Sequence, residues 1–66
     1  MLKRERQILV LKQLRADGVV RVSDLAGGMS VNPVTIRRDL EQLEQEGKLQ
    51  RVHGGAVSRE GAPTQS

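Results

Sequence analysis

The chain has 66 residues, with no Cys, Phe, Trp or Tyr, and its 11 lysines and arginines exceed its 8 acids by a net charge of +3. This length allows one domain, the lack of cysteine excludes disulfides and thiolate metal sites, and a lone histidine leaves no metal-ligand set, so we expect no cofactor. The core must be aliphatic, and no aromatic ring is available to stack on unpaired bases, which argues against single-stranded nucleic acid as the ligand.

The first predicted helix covers residues 3–16. Val10, Leu11 and Leu14 recur at helical spacing and form its apolar side. Gly18 favours a left-handed cap, which ends the helix, and the β-branched residues after it predict a short strand over residues 19–22. The charged start of the chain and the lack of a long apolar run predict a cytoplasmic protein.

The second predicted helix begins at Ser23. The Ser23 side chain can cap the free amides of the next turn, and the negative charge of Asp24 complements the positive end of the helix dipole. Gly27 and Gly28 lie inside the helix, where each lowers stability by about 0.5 to 1 kcal/mol relative to alanine. We therefore expect a short helix that frays easily.

The third predicted helix covers residues 33–46. Asn32 is a favoured capping residue, and Pro33 suits the first helical position because its missing amide is not needed there. Gly47 provides the stop signal at the other end. The buried stripe of the helix consists of Ile36, Leu40 and Leu43.

The last predicted element is a hairpin. Residues 49–53 alternate in polarity, Gly54 and Gly55 suit a two-residue turn, and residues 56–59 form the returning strand. The strand over residues 19–22 can pair with this hairpin as a third strand. This order of elements predicts an α+β winged helix-turn-helix over residues 1–59, with three helices and a small antiparallel sheet. Residues 60–66 have the composition of a linker or a disordered tail.

A candidate DNA-binding surface combines the third helix with the hairpin. The major groove admits an α-helix, and arginine can bind guanine through two hydrogen bonds or bind a phosphate. The turn before the helix is placed to bind phosphate, and a wing with a glycine tip can approach the backbone or the minor groove closely. The predicted contacts are Ser30, Asn32, Val34, Thr35, Arg37, Arg38, Gln42, Arg51, His53, Gly54 and Gly55, with Arg59 as a further wing cation.

Structural explanations also exist for these residues. Arg37 and Arg38 can be solvated helix residues paired with Glu41 or Glu44, and a turn tolerates His53 beside glycines without any binding role. If the domain binds duplex DNA, the cations of the helix and the hairpin should form one continuous surface. If it binds a protein, these cations should be scattered.

The rival function is protein binding, because winged-helix folds serve both purposes. The surface that binds a protein would be the acidic end of the third helix or the residues Leu2, Ile8 and Leu9, which lie off the apolar side of the first helix. Single exposed apolar residues are ordinary, but Leu2 and Leu9 are one heptad apart and can instead pack against another subunit or another domain. We find no nucleophile beside a base and no phosphate-binding glycine loop, so we predict that the chain is not an enzyme.

From Arg6 to Val57 the chain resembles the amino-terminal domain of the DeoR-type family of bacterial transcriptional regulators. The residues that carry the resemblance are Arg6-Gln7, Leu25-Ala26, Thr35-Ile36-Arg37-Arg38-Asp39-Leu40, Leu43, Gly47 and Arg51-Val52-His53-Gly54-Gly55-Ala56. The chain departs from the family's common pattern at Gly27-Gly28 and at Asn32-Pro33-Val34, where a different outward residue at 34 implies a different operator.

This resemblance implies a DNA-binding regulator, usually a repressor of sugar or nucleoside catabolism genes. In such proteins a phosphorylated sugar releases the operator by binding a larger carboxy-terminal domain, which also carries most of the oligomer contacts. The resemblance therefore implies that this chain is a DNA-binding part, monomeric by itself, of a homo-oligomeric protein.

Overall fold

The computed structural model describes residues 2–59. Its elements in chain order are α1 (Lys3–Asp17), β1 (Val19–Arg21), α2 (Val22–Met29), α3 (Pro33–Gln45), β2 (Leu49–Val52) and β3 (Gly55–Ser58). The strands form one antiparallel sheet in the order β1-β3-β2. This is the predicted winged helix-turn-helix, in which β2 and β3 form the wing. The predicted tail over residues 60–66 lies outside the described residues.

The predicted ends of α1 and α3 are confirmed to within one residue. Gly18 adopts φ +81°, and its N–H donates to the Leu14 carbonyl at 2.6 Å. Gly47 adopts φ +79°, and the Lys48 N–H donates to the Leu43 carbonyl at 3.0 Å, so the last carbonyls of α3 are satisfied by a Schellman-type cap. Both helices end where a left-handed residue is available.

The start of α2 differs from the prediction. α2 begins at Val22 and its N-cap is Arg21, whereas Ser23, the predicted cap, is already inside the helix. The Val22 side chain is buried, and its N–H donates at 2.9 Å to the carbonyl of Gly54 in the hairpin turn. These tertiary contacts outweigh the β-strand propensity of Val22, which local sequence reasoning had assigned to the strand.

The hairpin turn lies one residue earlier than predicted. Val52 pairs with Gly55, so the two turn residues are His53 and Gly54, and Gly54 has φ +82°. Gly55 belongs to β3, where a Cβ would overlap the carbonyl oxygen of Val20 and lie 3.1 Å from the Cα of the next residue in β1. Gly55 is therefore needed for the close approach of β1, and the predicted glycine tip is reduced to Gly54.

The core is aliphatic and is supplied by all six elements. Its buried members are Val10, Leu14, Val20, Val22, Leu25, Ala26, Ile36, Leu40, Leu43, Leu49 and Ala56. The predicted apolar side of α1 is confirmed except at Leu11, which is only partly buried against this core. Within the described part of the chain, no helix is long and apolar enough to cross a membrane.

Alanine at either glycine inside α2 is expected to stabilise the domain. Gly27 and Gly28 are exposed, and a Cβ at either position would meet no atom within 4 Å. Alanine lowers the entropy of the unfolded chain and favours the helix, so each change should raise the free energy of unfolding by about 0.5 to 1 kcal/mol. Urea denaturation of Gly27→Ala and Gly28→Ala measures this, and a loss of stability in both variants would contradict it.

Candidate nucleic-acid interface

The turn between α2 and α3 is held by local hydrogen bonds. Ser30 is exposed with φ +55°, and the Val31 N–H donates to the Ala26 carbonyl at 3.0 Å. The Asn32 side-chain oxygen accepts from the Val34 N–H at 2.8 Å, which confirms the predicted cap. Because the cap uses this oxygen, Asn32 can offer an outside ligand mainly its amide N–H groups.

The outer face of α3 carries two arginines and an apolar residue. Val34, Arg37 and Arg38 are exposed, and Val34 and Arg38 lie one turn apart on the side opposite the buried stripe. Among residues 2–59, neither arginine forms an ion pair or a side-chain hydrogen bond. The predicted alternative in which they pair with Glu41 or Glu44 is therefore not found.

Thr35 and Gln42 are less exposed than predicted. Both are half-buried, and helical spacing places them on the same flank of α3. The Gln7 side-chain amide donates to the Gln42 side-chain oxygen at 3.4 Å, so Gln42 is directed toward α1 and not outward as predicted. The physical reason is that α1 packs along this flank and offers the Gln42 amide a polar partner.

The opposite flank of α3 is tied to the wing. A Glu44 carboxylate oxygen accepts from the backbone N–H of Arg51 at 2.9 Å. Arg37 precedes Glu44 by seven residues, which is about two helical turns, so both lie on the side of α3 that faces the wing. Arg51, His53 and Gly54 are exposed on the wing, as is Arg59 after it, whereas Gly55 is buried beside its paired strand β1.

One buried ion pair joins α1 to α3. The Arg6 Nε donates to one carboxylate oxygen of Asp39, and its Nη2 donates to the other at 3.1 Å. Asp39 is only 2% exposed and is the one buried polar residue in the described part of the chain. The hydrogen bond to Asp39 raises the pKa of Arg6, desolvation opposes this rise, and the charge of Asp39 adds to it.

Sequence reasoning missed this pair, although half of the signal was present. Asp39 follows Ile36 by three residues and precedes Leu43 by four, so helical periodicity alone places it on the buried stripe. Its partner, Arg6, precedes Val10 by four residues, which places Arg6 near the apolar side of α1 in the same way. Nothing in the sequence pattern indicated that these two positions face each other.

Residues 2–59 contain no group of three His, Cys, Asp or Glu side chains that could hold a metal ion. Apart from the exposed Glu41 carboxylate on the outer side of α3, the polar groups of this surface are hydrogen-bond donors and cations, of the kind that bind phosphate and base edges. They come from the turn, the outer face of α3 and the wing, which are consecutive in the chain.

Comparison with known proteins gives one family. A model of the DeoR-like helix-turn-helix domain matches residues 4–61. The chain is 52% identical over 58 residues to the uncharacterized HTH-type transcriptional regulator YulB of Bacillus subtilis, and the match covers 88% of this chain and 22% of that protein. It is 40% identical over 58 residues to the lactose phosphotransferase system repressor of Staphylococcus aureus and to the uncharacterized HTH-type transcriptional regulator YgbI of Escherichia coli.

These matches cover 88% of this chain but 23% of the staphylococcal and E. coli proteins, so the chain spans less than a quarter of the length of the curated relatives. No solved structure matches it.

Proposed function

The chain belongs to the family of DeoR-like helix-turn-helix domains, and from this premise we propose that it is the DNA-binding domain of a transcriptional regulator and binds duplex DNA sequence-specifically. The observation that carries the proposal is the pair Arg37 and Arg38, exposed on α3 without an ion-pair partner among the described residues. Exposed cations on a helix that fits the major groove are available to phosphate oxygens and guanine.

The proposed contacts follow from where each group lies. Arg38, at the centre of the outer face, binds a guanine or a phosphate, and Val34 contacts a thymine methyl. Ser30 and Asn32 in the turn, and Thr35 in the first turn of α3, donate to phosphates.

The wing supplies a second set of proposed contacts. Arg51 and His53 bind the DNA backbone, and Gly54, which has no side chain, lets the turn approach a phosphate or the minor groove closely. Arg37 lies between the two sets, on the flank of α3 that faces the wing, and binds a phosphate. Gln42 and Gly55 take part only at the edge of this surface, because both are engaged within the domain.

The complete protein is proposed to be a cytoplasmic repressor of sugar or nucleoside catabolism genes. The S. aureus relative is named a repressor of the lactose phosphotransferase system, and this chain spans less than a quarter of that relative's length. We assign residues 1–59 to the DNA-binding domain and residues 60–66 to a linker. A phosphorylated sugar would act through a further domain outside this chain, which would also hold the homo-oligomer together, and no catalytic step is assigned to this domain.

Chemical-shift titration tests duplex binding directly. The domain is titrated with a random duplex and with a single strand of equal length at low and moderate salt. Binding through phosphate contacts predicts shifts on α3 and at the His53-Gly54 turn that favour the duplex and weaken as salt rises. Absence of any shift at low salt would overturn DNA binding by this domain.

Arg38→Ala is expected to weaken binding to a selected duplex by about 1 to 3 kcal/mol, or about 5- to 150-fold in Kd, because one base or phosphate contact is lost. Arg15→Ala is the matched control, since it removes the same charge from an exposed position in the last turn of α1. Fluorescence anisotropy measures both affinities. Equal affinities for the two variants would remove Arg38 from the contact surface.

Protein binding through α1 is the second candidate function. Leu2, Ile8 and Leu9 are 69%, 52% and 39% exposed, and Leu9 lies at the edge of a groove between α1 and α2. In the complete regulator, Leu9→Glu would lower the assembled mass if α1 meets another subunit or domain. An unchanged mass by light scattering would leave these residues as ordinary exposed side chains.

A further inference from the structure

We infer that the Arg6–Asp39 ion pair is a positioning device for DNA reading, which fixes the direction of α3 relative to α1. Neither residue lies on the proposed contact surface, yet the pair determines how Val34 and Arg38 on that surface are presented. The inference rests on the proposed function and deepens it, because it assigns sequence selectivity to two residues that do not touch DNA.

The geometry of the pair is directional. The Nε and Nη2 groups of Arg6 bind the two oxygens of one carboxylate, so the planar guanidinium and the carboxylate are aligned. The side chains of Arg6 and Asp39 are 12% and 3% exposed, which restricts both to one arrangement. The aliphatic contacts of the core favour burial but have no such direction.

A contribution to folding stability does not by itself explain why the Arg6–Asp39 pair is present. Desolvation of the buried Asp39 carboxylate and the largely buried Arg6 guanidinium offsets much of their attraction, and apolar residues of similar volume are often as stable or more stable in such places. A buried Arg–Asp pair at the junction of two helices is better explained by the single relative orientation that it allows. The other side-chain hydrogen bond between α1 and α3 in the described residues, Gln7 to Gln42, is long at 3.4 Å.

The position of Asp39 along α3 allows the ion pair to control the orientation of the outer face of this helix. Asp39 directly follows Arg38 in the chain, so any rotation of α3 that moves Asp39 also moves Arg38. Five residues later, which is about 7.5 Å along the axis, Glu44 binds the wing through the Arg51 N–H. These two polar contacts lie on different flanks of α3 and together set its direction.

The test replaces the pair by apolar residues, Arg6→Leu with Asp39→Leu, which leaves the net charge unchanged. A duplex is first selected from a random pool with the parent domain, and affinities for this duplex and for an unselected duplex are then measured by anisotropy. We expect the double variant to keep its thermal midpoint and its affinity for the unselected duplex within about twofold, because the phosphate contacts are retained. The ratio of selected to unselected affinity should fall at least tenfold.

A control double variant, Arg15→Leu with Asp17→Leu, makes the same exchange at exposed positions of α1 and should keep the parent ratio. If the Arg6→Leu and Asp39→Leu double variant does not fold, Arg6→Lys replaces it, because lysine keeps the charge but cannot form two aligned hydrogen bonds. Arg6→Lys should also lose selectivity while it binds the unselected duplex normally.

The outcomes are distinguishable. A folded double variant, or a folded Arg6→Lys, with the parent's selectivity ratio would overturn the positioning role and leave the proposed function intact. If the parent itself does not bind duplex DNA, no duplex can be selected, and that result would overturn both the proposed function and this inference.

Discussion

Gly55→Ala is expected to destabilise the domain by about 3 kcal/mol or more, because the added methyl group has no space. A Cβ at residue 55 overlaps the carbonyl oxygen of Val20 and lies 3.1 Å from the Cα of Arg21. Both are backbone atoms of β1, so neither can rotate away as a flexible side chain would. The two strands must separate, and their hydrogen bonds and the packing of Val20 and Ala56 in the core are lost with them.

Such a loss is large for a chain of this length. At about 0.05 to 0.15 kcal/mol per residue, a 66-residue domain has a net stability of roughly 3 to 10 kcal/mol. Urea denaturation followed by circular dichroism should therefore show a midpoint far below that of the parent, and a parent stability at the lower end of this range leaves the variant largely unfolded without urea.

The neighbouring glycine provides the control. Gly54 has φ +82°, and a Cβ there would meet no atom within 4 Å, so Gly54→Ala carries only the left-handed backbone penalty of about 1 to 2 kcal/mol. If both variants unfold at the same urea concentration, the close approach of β1 to Gly55 does not limit stability, and the packing argument is wrong.

Arg6→Leu is expected to lower the free energy of unfolding by about 3 to 5 kcal/mol, since it leaves the Asp39 carboxylate, 2% exposed, without a cationic partner. The cost arises because the charge of Asp39 stays buried without a partner, and not because the arginine side chain itself is lost. Adding Asp39→Leu to the same variant should therefore recover most of the stability, because no charge then remains to be buried.

Denaturation of the parent, Arg6→Leu, Asp39→Leu and the double variant at neutral pH forms a cycle that isolates this coupling. Arg4→Leu serves as the control, since Arg4 is exposed on the same turn of α1, and its effect should stay within about 0.5 kcal/mol. Equal effects of Arg4→Leu and Arg6→Leu would show that the pair contributes nothing at this junction.

Local sequence signals located most of the secondary structure. Two signals placed α3 to within one residue: the cap at Asn32 and the spacing of Ile36, Leu40 and Leu43. Both signals depend only on residues that are close to each other in the chain. Gly18 and Gly47 likewise marked the helix ends correctly.

The candidate site was predictable in outline but not in its orientation. The exposure of Val34, Arg37 and Arg38 follows from their position opposite the buried stripe of α3. Thr35 and Gln42 were placed on the same face, but both are half-buried, and Gln42 is hydrogen-bonded to α1. Periodicity defines which side of a helix is buried, yet it does not say which neighbour covers the flanks.

The sequence by itself determined three helices, the third with two exposed arginines, and a paired wing, since each depends on contacts between residues near one another in the chain. Only the tertiary structure decided the start of α2, the turn at His53 and Gly54, and the pairing of Arg6 with Asp39. Those features depend on the Val22 N–H meeting the Gly54 carbonyl, on the close pairing of β1 with β3 at Gly55, and on an ion pair between two side chains 33 residues apart. Such contacts leave no periodic pattern in the sequence, because their geometry exists only once the helices and strands have packed.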